Sequence, residues 1–435
     1  MRAFAGLLSL LAAAVFAGEG ASKPQPVNLA AVMRLAGANN LDIQIAEQRL
    51  VTAQAEHEQA LLQFFPYLSP GIAFTRHEGN IQAVDGPIIA ANKQSLAAGA
   101  NVVAQLELGD AIYKAMIAKR LATAAQFGAE AQRQESVYQA VAAFFELVRA
   151  RAARDVAVVS VRIAMSYAGE LQRAVEAGIA FKGDAFKAEA QTERNRLGLR
   201  QSEEQQRIAA ARLAQTLHIS PLVELVPEGG EPAPLHFTER GTAPETLVAQ
   251  ALAQRPEFKQ SDAQLSAARS ARDGAKFGPL VPTVRGQYFY GELGGGTYDD
   301  GVKHFNQSSD YGIGLSWRVG PGGLFDQGRV RAGEARLKTG ELEQDKLRDE
   351  ITRQVVEADA HVHSLVDQLE FARKALSAAE KSLRLARGRQ EFGIGEVLEN
   401  IQAEQDQTRA RLDFLNVITE HNKAQFALRR ALGGG

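Results

Sequence analysis

The chain has 435 residues, a formal net charge of -2 and no cysteine. Its 49 basic and 51 acidic residues are interspersed, which argues against a nucleic-acid partner, and the lack of cysteine excludes a disulfide-based scaffold. Aromatic residues make up only 7% of the sequence, while Ala, Gln, Glu and Arg dominate long stretches. This composition is typical of long helices.

The first 17 residues have the pattern of a secretory signal peptide. Arg2 supplies a positive start, residues 3–16 are apolar, and the small residue Ala17 stands at the expected cleavage position. An apolar run of about 15 residues is shorter than the roughly 20 that a membrane-spanning helix needs. No later segment reaches 18 consecutive apolar residues, so a mature chain that enters a membrane is expected to do so as a β-barrel.

The rest of the chain contains one pattern twice. The sequence Glu-Ala-Gly-Ile that begins at Glu176 returns as Glu-Phe-Gly-Ile at Glu391, 215 residues later. The same shift aligns the ends of both halves, at Leu217 and Leu432. Between the halves, a segment with four prolines interrupts the helical pattern. The predicted domains are a signal peptide at 1–17, a first repeat at 18–217, a linker at 218–241 and a second repeat at 242–435.

Each repeat is predicted to contain helix, two strands and a long helix. The opening helices, residues 28–65 and 244–277, end near a proline. Period-two alternation then predicts strands of about ten residues, the length that crosses a bilayer when tilted. These strands are residues 68–78 and 96–108 in the first repeat, and 283–293 and 311–317 in the second. Because four strands cannot close a barrel, several copies of the chain are expected to contribute strands to one barrel. The alternative interpretation of the same alternation is a soluble antiparallel sheet.

The segments after the strands predict unusually long helices. Residues 110–177 contain no proline, and a helix of that length spans about 100 Å. In the second repeat, apolar residues from Ile351 to Ala386 recur in steps of four and three. A seam of this kind predicts left-handed coiled-coil packing, either in the wall of a closed helical cylinder or in an isolated rod.

The ordered set of these features resembles the TolC family of outer-membrane factors along the whole mature chain. The resemblance rests on the duplicated plan, on Phe64-Phe65-Pro66 before the first strand, and on residues 393–404, which look like the family's tip motif. The resemblance implies a mainly α fold with β structure: a homotrimer whose four strands per chain form a 12-stranded transmembrane β-barrel in the outer membrane. Below the barrel, a long α-helical coiled-coil barrel would form a periplasmic tunnel, with residues 218–241 in an equatorial belt.

The resemblance also implies a function and partners. The chain would be the outer-membrane channel of a tripartite efflux pump or type I secretion system, passively exporting substrates from a periplasmic entrance. Its partners would be a periplasmic adaptor, an inner-membrane pump and outer-membrane lipid. The alternative from another class is a periplasmic coiled-coil adaptor or scaffold, which also carries long helical hairpins after an export signal.

Two groups of site residues follow. In the family, acidic side chains near the tip surround the constricted entrance. Glu399 occupies such a position, and Gln402 stands where a second acid is common. Asp184 and Lys187 are the equivalent residues of the first repeat. Acids at a helix start also favour the helix dipole, which is the simpler explanation for Glu396. The candidate membrane-facing residues of the barrel are Tyr288, Tyr290, Tyr311, Ile313, Leu315 and Trp317.

Motifs for catalysis are not found in the sequence. The eight histidines do not have metal-ligand spacing, and the glycine-rich stretches lack the lysine of a phosphate-binding loop. No serine stands in a Gly-x-Ser-x-Gly elbow. The prediction is a protein that is not an enzyme, with no cofactor and no bound metal.

Overall fold

The structure is a computed structural model of the chain, and it describes residues 24–38, 40–229, 232–237, 241–297, 299, 301–392 and 396–434. The predicted signal peptide lies outside the described residues, as do Gly393, Ile394 and Gly395 of the tip motif. No described helix is both long and apolar enough to cross a membrane.

The described elements follow the predicted order in both halves, so the mainly helical fold with an internal duplication is confirmed. The first half contains β1 (Gln25–Val27), α1 (Leu29–Ala38), α2 (Leu41–Leu62), β2 (Tyr67–His77), β3 (Asn80–Gln82), β4 (Ile88–Ala90), β5 (Lys93–Glu107), α3 (Leu108–Glu176) and α4 (Lys182–Thr216). After β6 (Leu225–Pro227), the second half contains α5 (Pro244–Gln254), α6 (Pro256–Phe277), a 3₁₀ turn (Gly278–Leu280), β7 (Thr283–Thr297), β8 (Lys303–Ser316), α7 (Gln327–Glu391) and α8 (Val397–Ala431).

Each predicted opening helix is two helices, which corrects the expectation of one. In the first half, the side-chain oxygen of Asn40 accepts hydrogen bonds from the backbone N–H of Asp42 at 2.8 Å and of Ile43 at 3.3 Å. This cap starts a new helix because it satisfies donors that have no partner in a first turn. In the second half, Pro256 occupies the first turn of α6, a position that proline tolerates and that ends the preceding helix.

Four strands form one antiparallel sheet in the order β2-β5-β7-β8. Each half contributes a hairpin, and the central pair β5 and β7 joins the two hairpins. The connection predicted as a polar stretch in the first hairpin contains a smaller hairpin, β3 with β4, which the sequence analysis did not identify. The outer strands β2 and β8 have no further strand partner among the described residues.

The chain divides into two compact units. One comprises the described residues within 24–44, 132–251 and 353–434, and the other comprises those within 45–131 and 252–352, which include the sheet. The core of the first unit collects buried side chains from α1, α3, α4 and β6, among them Val32, Val141, Leu147, Leu213 and Leu217. The short parallel pair of β1 with β6 contributes Val27 and Leu225 to this core.

The predicted heptad seam of α7 is buried at both ends. Ile351, Val355, Val362, Leu365 and Leu369 are buried, as are Leu383 and Ala386. The middle of the seam, from Ala372 to Ala379, is only half-buried in the single chain. The seam therefore packs as predicted over most of its length and leaves its middle partly open.

Candidate functional site

The predicted constriction residues of the first half lie at the start of α4. Asp184 is in the first turn, and its carboxylate accepts a hydrogen bond from the Lys187 ammonium at 3.0 Å. Lys187 is exposed and Asp184 half-buried. An exposed pair of this kind is weak, but Lys187 still offsets the charge that Asp184 would offer to a passing ion.

The second-half residues have the equivalent place in α8. Glu399, which is half-buried, is in the first turn of α8, and the exposed Gln402 lies three residues later on the same side of the helix. A guanidinium nitrogen of Arg389, in the last turn of α7, is 3.5 Å from the Glu399 carboxylate. Asp184 and Glu399 thus each have a basic partner within their own chain. The sequence analysis did not identify Arg389 as the partner of Glu399.

A network of polar side chains, most of them buried or half-buried, joins the helices that carry these acids. The Gln390 side chain donates to the Tyr167 hydroxyl at 2.8 Å, and Asn400 donates to Gln390 at the same distance. Two turns into the helices, Gln405 of α8 donates to Gln191 of α4 at 2.7 Å. The hydrogen bonds connect α3, α4, α7 and α8, so they fix the relative positions of the four helices near their turns.

Glu404 is the most unusual carboxylate of this network. Burial raises its pKa, and the guanidinium of Arg387, 3.4 Å away, only partly opposes that effect. Burial also raises the pKa of the Tyr167 hydroxyl. Because burial disfavours the charged form of an acid, Glu404 is the group in this region whose charge is most costly to maintain.

The predicted equatorial segment is fixed to α8 by side-chain amides. The Asn422 amide accepts from the backbone N–H of Leu235 at 2.8 Å and donates to the carbonyl of Ala233 at 2.9 Å. Gln425 accepts from the backbone N–H of Phe237 at 3.1 Å. The two amides replace the strand partner that this extended segment lacks among the described residues.

An ion-pair cluster lies on α3 and α8 in the same unit. The Lys423 ammonium donates to Glu146 at 2.7 Å and to Glu420 at 2.9 Å. Burial opposes ionisation of Glu146, but hydrogen bonds and charge from Lys423 and Arg149 outweigh it and lower the pKa. This cluster joins the two helices.

The sheet has one apolar and one polar face. Register places Tyr288 opposite Tyr311 and Val102, and Val284 opposite Leu315 and Leu106. On the other face, Gln287 donates to Asn101 at 3.2 Å. Every one of the predicted membrane-facing residues is exposed in the single chain, with Ile313 at 85% and Trp317 at 53%. An apolar face that is exposed over this area indicates a surface that another phase or molecule covers.

No three His, Cys, Asp or Glu residues lie close enough to hold a metal ion in the described part of the chain.

Comparison with known proteins agrees with this geometry. Residues 247–434 match the family described as outer membrane efflux protein. Protein CyaE of Bordetella pertussis is 29% identical over 308 residues, which cover 69% of this chain and 62% of CyaE. The match therefore spans less than two thirds of the length of that relative.

Solved structures share the fold over nearly the whole chain. A membrane protein from Pseudomonas aeruginosa has a TM-score of 0.79 at 18% identity, with 93% of each chain covered. The outer membrane protein VceC from Vibrio cholerae has a TM-score of 0.76 at 19% identity, with 94% of this chain and 96% of VceC covered. The fold is that of outer membrane channel proteins.

Residues 247–434 match the outer membrane efflux protein family, and nearly the whole chain has the fold of outer membrane channel structures, so the predicted resemblance is confirmed. The family is one of channel proteins rather than enzymes, and it does not favour the adaptor alternative.

Proposed function

We propose that the protein is an outer-membrane channel that passively exports substrates from a periplasmic entrance. The observation that carries this proposal is the four-stranded sheet, which has an exposed apolar face and two unpaired outer strands among the described residues. A bilayer accepts a sheet only when its edges are closed, since unpaired backbone groups are costly in hydrocarbon. In this proposal the chain therefore functions as several copies, and the family resemblance implies three, which give a barrel of twelve strands.

The internal duplication gives the register of the contact between copies. Within one chain, β5 pairs with β7 so that Asn101 lies opposite Phe289. In the first hairpin Tyr67 pairs with Val103, and in the second Thr283 pairs with Ser316. Tyr67 and Thr283 are therefore equivalent positions in the two halves, as are Val103 and Ser316. Applying the same relation to β8 and the next copy's β2 places Gly314 opposite Ala73. The same register puts Ile313 opposite Phe74 and Leu315 opposite Ile72, so apolar residues meet on one face.

Disulfide trapping tests this contact directly, because the chain has no cysteine of its own. We expect the Ala73→Cys/Gly314→Cys variant to form disulfide-linked trimers in membranes. The matched control is Ser69→Cys/Gly314→Cys, because Ser69 lies on the same face as Ala73 but about 13 Å further along the strand. A disulfide requires Cα atoms roughly 4.4–6.8 Å apart. Equal cross-linking in both variants, or none in either, would contradict the trimer.

The long helices α3 and α7, with α4 and α8, form the wall of the periplasmic tunnel in this proposal. Asp184 and Glu399 lie at its entrance, where three copies of each acid give a ring that favours cations. Lys187 and Arg389 reduce that charge in each copy. A periplasmic adaptor and an inner-membrane pump open the entrance and supply the energy, and the channel itself performs no catalysis.

A further inference from the structure

A cavity of about 250 Å³ lies where the second hairpin joins its helices. One wall is the end of α6 with Pro279, and the other is the loop before α7 with the first turn of that helix. The apolar part of the lining includes Pro279, Leu324, Phe325 and Val330. None of these residues belongs to the predicted entrance or to the predicted membrane-facing set.

Two cations line the same cavity, Lys276 and Arg331, and both are exposed. In the part of the chain that the structure describes, neither forms an ion pair with a carboxylate. The Lys276 ammonium lies 5.2 Å from the centre of the Phe277 ring. The cavity therefore offers two positive groups that still lack an anionic partner.

The carboxylate in the lining, Asp326, is already used within the loop. It accepts backbone hydrogen bonds from Gly322 at 2.8 Å and from Arg329 at 3.0 Å. Those backbone hydrogen bonds lower the pKa of Asp326, so the group stays ionised and fixed at its place. Asp326 holds the loop in place, and the charged residues of the lining, two cations and one carboxylate, have a net charge of +1.

The loop presents an aromatic ring outward beside the cations. Phe325 has a φ of 68°, which is unfavourable for a residue with a side chain, and it is 86% exposed. At the same end of the sheet, Leu280, Trp317 and Val319 are also exposed. Apolar and aromatic side chains at strand ends are typical of the level at which lipid headgroups meet hydrocarbon.

We propose that this cavity binds an anionic phospholipid, with the phosphate between Lys276 and Arg331 and the first part of an acyl chain against Leu324, Phe325 and Val330. The inference rests on the proposed function, because it needs the sheet to lie in a membrane. Charge selects the occupant: ammonium and guanidinium groups bind phosphate oxygens, and the excess positive charge favours a lipid with net negative charge over a zwitterionic one. The apolar wall favours a lipid over free phosphate.

Native mass spectrometry of the detergent-purified trimer tests this site. The probes are dioleoyl phosphatidylglycerol, dioleoyl phosphatidylcholine and inorganic phosphate, each titrated separately. We expect the wild-type trimer to bind three molecules of phosphatidylglycerol more tightly than phosphatidylcholine. The Lys276→Gln/Arg331→Gln variant should lose about tenfold or more in affinity for phosphatidylglycerol. The control, Lys119→Gln/Arg120→Gln, removes an exposed lysine and arginine from α3 and should bind as the wild type does.

A second variant separates lipid from phosphate. Phe325→Ala should weaken phosphatidylglycerol binding about threefold or more and leave any phosphate binding unchanged. The site is refuted by equal binding of the two lipids, by wild-type affinity in the double glutamine variant, or by phosphate binding as tight as that of the lipid. It is also refuted if a neighbouring copy fills the cavity and no lipid binds. In all of these outcomes an intact, conducting trimer leaves the proposed function standing, whereas a monomer would contradict the proposed function itself.

Discussion

Ile313→Arg is the most informative change, because it places a charge on the exposed apolar face of β8. In the single chain Ile313 is 85% exposed and lies opposite Gly286, so the new side chain displaces almost nothing. If the face is covered by water, the cost is close to zero. If it lies in lipid near the middle of the bilayer, we expect a cost of about 2–4 kcal/mol for each subunit. That cost corresponds to roughly a 30- to 900-fold change in the folding equilibrium.

The control is the neighbouring change Gly314→Arg. Gly314 lies on the polar face of the same strand, and a Cβ atom at this position would meet nothing within 4 Å. Both variants are folded into lipid vesicles, and the free energy of unfolding is measured by guanidinium titration alongside the fraction of trimer. We expect a large loss for Ile313→Arg and a loss below about 1 kcal/mol for Gly314→Arg. Equal stability of the two variants would refute a lipid-facing position for Ile313.

Three further changes test other parts of the molecule. Single-channel recording of Asp184→Asn/Glu399→Gln should show a reduced cation preference with the trimer intact, and a larger effect than Glu396→Gln; unchanged selectivity would remove the pair from the pore. Because burial raises the pKa of Glu404 above its ordinary 4.5, the folded state binds the proton more tightly, and stability should fall as pH rises through that raised pKa. Glu404→Gln should remove this slope in thermal melts taken at several pH values, and an identical slope would be inconsistent with the assignment. Gly109→Ala places a Cβ in a clash with the backbone carbonyl oxygen of Gly278 and should cost about 1–3 kcal/mol, measured by thermal unfolding.

The parts of the fold with a strong period were predictable from the sequence. Alternation located all four long strands, because one face of the sheet is apolar and the other is polar. The heptad steps located the buried residues of α7. Asp184 and Glu399 lie in the first turns of α4 and α8, and their role at the entrance stays a prediction.

The missed features depend on side-chain contacts that have no periodic signal. Asn40 was read as part of a helix, but its side chain starts a new one. Gln390 and Asn400 look like solvated positions in a long helix, and only the packing of four helices shows that they bond to each other. Pro256 was the exception, since a proline within a helical pattern is a signal that was present and not used.

The central strand pair has a consequence for how the protein is made. Each hairpin closes locally, but β5 meets β7 only after the chain has continued from Glu107 to Thr283. The pairing of Gln25 with Leu225 likewise waits until the whole first half has left the ribosome. Contacts between residues so far apart form slowly, because the chain loses much entropy before they stabilise it. During that delay the first hairpin has two open edges, and each open edge is able to pair with a wrong strand or with another copy of the chain.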